Sequence, residues 1–266
     1  MTEPRQDRRA VAARTADLLR PLRERQRRWL RGELDDVPED PQRVRAQPLV
    51  VRRERADPPA RTPALQAAAA AVLAVLCDER AGPGGDWHDD CAAWVAGRIR
   101  KVARRARGAE WHVLADVPGV TVADGAAEVR AFPPYRLADT PRVIDRLQIG
   151  GTELPDVIRP GEPPAGRPVI WLAPGVPMTA GKAMAQVGHA GMLLAAYLDV
   201  PALAAWIAAD LAITVRVAGA AAWSKATGGR ADAEERFAET GQVLVRDAGF
   251  TEVERGTVTA VAGYPR

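Results

Sequence analysis

From Pro168 to Arg266, short apolar runs alternate with helical stretches, and that alternation limits the folds open to the chain. PVIWLA reads as a buried strand, followed by an alanine-rich helix over about 180–198 and a shorter one, opened by Pro201, to about 209. LAITVRV alternates as a strand. A poorer helix is expected over about 220–240, weakened by Gly228 and Gly229, before VLVRDAG and TVTAVAG close the segment as strands. Strands alternating with helices argue for an α/β layer built on a mixed sheet. Such a sheet places Asp247 at a strand end, close to the start of the helix carrying Lys182, where ligands of α/β sheets commonly sit.

Upstream, residues 1–45 read as a basic helical arm and an acidic turn, with a helix over 5–31 closed by the Pro38–Pro41 region. Residues 46–150 form a first α/β block. LVVR looks like a strand, Pro63 opens ALQAAAAAVLAVL, and VPGVTV and AEVRAF are strand-like. Ala92, Val95, Ile99, Val102 and Ala106 fall at helical spacing, so a helix is expected there, with Arg98, Arg100, Lys101, Arg104, Arg105 and Arg107 on its other face. Residues 151–167, rich in proline and glycine, read as a linker.

The two blocks echo each other. LVVR resembles VIWL, alanine-rich helices follow both, and GVTVADGAAEVRAF resembles GFTEVERGTVTAVAG. That suggests a degenerate second copy of one unit, although an alanine-rich chain also produces such echoes by low complexity alone. If the echo is real, the first copy has no counterpart of LAITVRV. It keeps Gln66 and Thr121, and sets Val117-Pro118-Gly119 where the other has Asp247-Ala248-Gly249.

Charge is informative when mapped. The net charge of +3 arises within residues 1–45, and residues 5–31 alone carry ten arginines against Asp7, Asp17 and Glu24. Such an arm touches RNA or an acidic partner, or is a solvated amphipathic helix with Val11, Leu18, Leu22 and Trp29 as its stripe. The longest apolar stretch, Ala64 to Cys77, is too short to span a bilayer, and no signal-peptide core precedes it. Cys77 and Cys91 have no metal-like spacing, so neither a disulfide framework nor a metal site is suggested. A cytoplasmic enzyme or binding protein that needs no cofactor is expected, without a membrane.

The chemistry gathers in two segments. GKAMAQVGHA sets Lys182, Gln186 and His189 at i, i+4 and i+7, on one face of a helix. RDAGFTEVERGTVT adds Asp247 and the hydroxyls of Thr251, Thr257 and Thr259. A cation, an amide, an imidazole, a carboxylate and hydroxyls meeting in one place can move protons and hold an oxyanion. Lys182 is one of only three lysines in the chain, which favours a functional role. His189 reads first as a core histidine against the sheet and second as a site residue. Asp247 could cap a turn, and the threonines also suit strands.

GK-x-x-AQ-x-x-HA, DAG-x-T and G-T-x-T, with Met178, Trp206 and a terminal Gly-Tyr-Pro, together resemble the type II peptidyl-tRNA hydrolases of archaea and eukaryotes over residues 168–266. The resemblance implies a three-layer α/β domain with a four-stranded mixed sheet, and typically a homodimer. It also implies hydrolysis of the ester joining a peptide to the 3′ end of tRNA. It points to the same positions, Lys182, Gln186, His189, Asp247, Thr251 and Thr259. From their chemistry Lys182, Asp247, Thr251, Thr259 and His189 are expected to be catalytic, and Gln186 and Thr257 substrate-binding. The first block would then stand in for a dimer partner, as an internal pseudo-dimer. The sequence departs from the family at Ala173-Pro174-Gly175, Ala180, Phe250 and Glu252, and loses basic groups that would meet phosphates. The arm at 5–31 and the basic run at 98–107 would have to replace them. The rival expectation is an inactive RNA- or protein-binding module that retains the fold. A third is an esterase or amidase acting on another acylated molecule.

Overall fold

The computed structural model describes residues 7–33, 39–156, 163–228, 233–249 and 252–265. In chain order the elements begin with α1 (Arg8–Leu30), β1 (Arg45–Arg52), α2 (Arg61–Cys77), α3 (His88–Ala96), β2 (Arg100–Ala106) and α4 (Gly108–Val113). They continue with β3 (Val120–Asp124), β4 (Ala127–Ala131), β5 (Tyr135–Arg136), α5 (Arg142–Asp145), β6 (Val169–Leu172) and α6 (Ala180–Tyr197). The last are α7 (Val200–Ala208), β7 (Thr214–Val217), α8 (Ala220–Thr227), α9 (Ala233–Thr240), β8 (Gln242–Arg246) and β9 (Val258–Gly263).

Two mixed sheets share one topology. The first runs β2-β1-β4-β3, with the short β5 also on β1, and the second runs β7-β6-β9-β8. In each, the first strand has a parallel neighbour on one side and an antiparallel one on the other, and the hairpin partner lies outermost. Helices α2 and α6 pack against each other between the sheets, so the layers run sheet, helices, sheet. This is the expected three-layer α/β architecture with a four-stranded mixed sheet in the C-terminal part.

Helix α2 is apolar on every side because α6 covers one face and the first sheet the other. Its run Ala67–Ala71 is almost wholly buried, and Gly188 and Gly191 of α6 face it. A Cβ on Gly188 would lie 2.9 Å from Val72 Cγ2 and from Lys101 Cε, so only glycine allows this closeness. Pro48, in the central strand β1, lies between the stretch paired with β5 and the stretch paired with β4.

Several expectations are corrected. The helix expected through Ala92–Ala106 ends at Ala96, and Arg100–Ala106 is strand β2. Its arginines therefore form no helical stripe: Arg104 is buried on the carbonyls of Asp145 and Leu147, while Arg105 reaches Gly150. Strand β2 supplies the counterpart of β7 that the first block was expected to lack. The strand pairing also sets β3 against β8, so Asp124 stands where β8 runs into Asp247, and neither Val117–Gly119 nor Thr121 is the match. The helix expected at 220–240 is two helices, with residues 229–232 outside the described residues. Of the linker expected at 151–167, residues 157–162 lie outside the described residues. Within 151–156, Thr152 and Leu154 are buried, and the Thr152 hydroxyl accepts from the Gly181 amide at 3.1 Å.

Helix α1 straps the two halves. It starts on an Asp7 cap and packs on α2 and α3 of one half and on α6, α7 and α9 of the other. Its buried stripe includes Val11, Leu19 and Leu22, with Leu18 and Trp29 at the edge. Gln26 donates to the Leu244 carbonyl on the edge strand β8 at 3.1 Å, and Arg23 pairs with Glu234 while lying over the Tyr197 ring. No helix among the described residues is long and apolar enough to cross a membrane.

Candidate active site

Helix α6 begins where three parts of the chain meet. Thr179 caps it, its hydroxyl accepting from the Lys182 amide at 3.1 Å. The Thr179 amide and hydroxyl donate in turn to the Glu252 carboxylate at 2.9 and 2.8 Å. Glu252 thereby ties the loop after β8 to the helix start. That loop opens with Asp247, whose amide donates to the Thr257 carbonyl and whose Oδ1 accepts from the Gly249 amide, both at 2.8 Å. Gly249 has φ +78°, and a Cβ there would lie 2.7 Å from Arg255 Cβ, so the tight turn requires glycine.

One polar chain runs through the site. Thr259 donates to Gln186 Oε1 at 2.6 Å, and Gln186 Nε2 donates to Asp247 Oδ2 at 2.7 Å. Lys182 Nζ forms an ion pair with the same oxygen. Asp247 is 4% exposed and Gln186 2%, whereas the Lys182 side chain keeps 11% at the floor of a cleft. Among the described residues three donors converge on the Asp247 carboxylate, leaving about one of its four lone-pair directions for a further partner. Its orientation is fixed, and it holds the Lys182 ammonium toward the cleft.

The cleft, about 750 Å³, is built by both halves. Its C-terminal wall is α6 and the Asp247 loop. Its N-terminal wall is α1, with Arg25 and Trp29, and the segment Gly97–Ala103 leading through β2. His189 lies on this cleft but outside the Asp247 network. Its Nε2 is 2.8 Å from the Ile99 carbonyl, which only accepts, so the ring proton sits on Nε2. Burial, then the charge of Lys101, push the imidazole well below its ordinary value, with Lys182 adding to the effect against the Ile99 hydrogen bond. Lys101 sits beside it, its amine donating to Ile99 O at 3.3 Å and contacting Met192 Sδ at 3.2 Å, 4.7 Å from the Trp94 ring centre. Burial pushes that amine well below the usual lysine range.

The structure brings together Lys182, Gln186, Asp247 and Thr259. Thr257 contributes a backbone carbonyl to the Asp247 turn, and His189 tethers α6 to the other half. Thr251 and Phe250 lie outside the described residues. Sequence reasoning missed Thr179, took Lys101 and Arg25 only as members of the basic run and the arm, and read Glu252 only as a departure. A threonine three residues before Lys182 is a cap signal visible in sequence; no local spacing announces the others. Among the described residues no three His, Cys, Asp or Glu side chains gather as metal ligands. Compared with protein-family models, curated proteins and solved structures, the chain gives no match.

Proposed function

We propose that this chain hydrolyses the ester between an acyl or peptidyl group and the 3′ end of tRNA. The observation that supports this most is the buried chain Thr259–Gln186–Asp247–Lys182 at the floor of a cleft whose other wall carries Arg25, Arg98 and Arg100. In this reading a water takes the remaining lone pair of Asp247 and attacks the ester carbon as the carboxylate draws off its proton. Lys182 offsets the negative charge that develops on the carbonyl oxygen. The carbon–oxygen bond to the ribose breaks, the ribose oxygen leaves with a proton, and the acid is released. Gln186 and Thr259 keep the carboxylate in one rotamer. The first sheet and α2 act as an internal partner, which makes the chain a pseudo-dimer of two related units. Both sheets having one strand order supports that reading.

The test is release of tRNA from an N-acylated aminoacyl-tRNA by the purified chain, beside Lys182→Ala and Asp247→Asn. Turnover that collapses in both folded variants is the expected result. No turnover from the folded wild type would overturn the assignment and favour a binding module in the same fold.

A further inference from the structure

The cleft has a cationic pole away from the ester chemistry. Arg25 of α1 and Arg98 and Arg100 at the start of β2 line its N-terminal wall. Glu39 lies against this group, its Oε2 3.4 Å from Arg98 Nε and accepting from Arg100 Nη2. Burial raises the Glu39 carboxyl, but the Arg100 hydrogen bond and the charges of Arg100, Arg98 and Arg25 prevail and hold it below its ordinary value. Arg25 shows the reverse. Burial and then Arg98 push its guanidinium down, Glu39 pulls it back, and Arg100 and Arg28 add to the push. An arginine does not shed its proton in answer, so the free protein keeps a partly desolvated guanidinium among like charges. A further anion at this wall would relieve it.

We propose that Arg25, Arg98 and Arg100 form a phosphate-binding station for a single-stranded RNA end, and that Glu39 occupies it until the phosphodiester displaces it. Guanidinium forks match phosphate oxygens in pairs, and arginines from two separate elements suit successive phosphates along a strand. Trp29 and Ile99 line the same cleft, offering an aromatic face and an apolar edge on which bases stack. The C-terminal unit is neutral in sum, so the charge that draws the strand in comes from the other half. The direction of the strand, with its 3′ end toward Lys182, rests on the proposed hydrolase; the station itself does not.

The test is fluorescence anisotropy of a fluorescein-labelled, unstructured RNA octamer with the full chain over a series of salt concentrations. Arg25→Ala should weaken binding about tenfold, equivalent to about 1.4 kcal/mol. It should also flatten the salt slope by about 0.7, the value of one lost phosphate contact on a single strand. Arg25→Gln, which keeps much of the stem, should behave alike. Glu39→Gln should tighten binding several-fold, which loss of structure would not do. Unchanged affinity and slope in both Arg25 variants would overturn the station. So would weaker binding by folded Glu39→Gln, or an octaglutamate competing at lower concentration than RNA. RNA binding through these arginines without ester cleavage would remove the hydrolase and leave the station. Cleavage with KM unmoved in Arg25→Ala would do the opposite.

Discussion

The two halves carry the same polar pairing and put it to different use. In the C-terminal half, Gln186 of α6 donates to Asp247 at the end of β8. In the N-terminal half, Gln66 of α2 donates to Asp124 at the end of β3, the corresponding place in the topology. Everything around the pair differs. One turn before Gln186 stands Lys182, while one turn before Gln66 stands Thr62, which donates to Asp156. The Gln186 carbonyl takes the Thr259 hydroxyl, while the Gln66 carbonyl takes the Val215 amide at 3.0 Å from the opposite half. One pair faces a cleft; the other is closed by strand β7 and serves as a brace. A glutamine–carboxylate pair on a helix and a strand end is therefore a property of the fold, and the lysine and the open wall set the candidate site apart.

That contrast can be broken most sharply at the carboxylates. Asp247→Asn should lower ester cleavage by roughly 100- to 10,000-fold, while Asp124→Asn leaves the rate of the wild type, both read as tRNA released per minute. Equal losses would mean that the halves are not divided into site and brace. The next effect is on the seam between them. Gly188→Leu must drive α6 away from Val72 and Lys101, and should cost about 3 kcal/mol or more by denaturant titration. A neutral result would show that α2 and α6 are not closely packed.

Gln66→Leu should cost about 1–3 kcal/mol, because the Val215 amide and Asp124 lose a partner together. Its catalytic rate should persist; a loss of rate at full stability would place Gln66 in the chemistry. The smallest effect concerns His189. Its folded value lies well below the ordinary histidine value of about 6.5, so the unfolded chain binds more protons between the two. Stability contributed by neutral His189 is present above that ordinary value and drains away as pH falls toward the folded one. Thermal melts from pH 7.5 to 5 should show that decline, and His189→Gln should make it shallower.

Much of the C-terminal half was legible because each element carries its own local signal. Strand β6 is a short apolar run, Pro201 opens α7, and Lys182 and Gln186 share a helix face by spacing alone. Asp247 was placed at a strand end by the order of elements. Strand β2 reads as helix in sequence because Ala92, Val95, Ile99, Val102 and Ala106 fall at helical spacing and Arg104 looks solvated, whereas in the fold its guanidinium is buried on the carbonyls of Asp145 and Leu147. Thr179 and Glu252 lie 73 residues apart, and His189 meets the carbonyl of a residue 90 positions earlier. Contacts of that range depend on tertiary packing and leave no periodicity behind. The Gln66–Asp124 brace was hidden for another reason: the echo aligned β3 with the loop after β8 and moved the carboxylate out of register.

The strap α1 has a consequence for how the chain comes to be folded. Gln26 meets a carbonyl 218 residues further along, and Arg23 a carboxylate 211 residues further along. Closing loops of that size is slow compared with pairing neighbours, and in synthesis the strap waits while its later partners are still being made. Until β8 exists, the face bearing Leu22 and Gln26 can only rest on the half already formed. A chain stopped short of β8 therefore carries an unsatisfied helix, a mark that chaperones and proteases read as unfinished. The same strap that walls the cleft makes that cleft conditional on a chain that has reached β8.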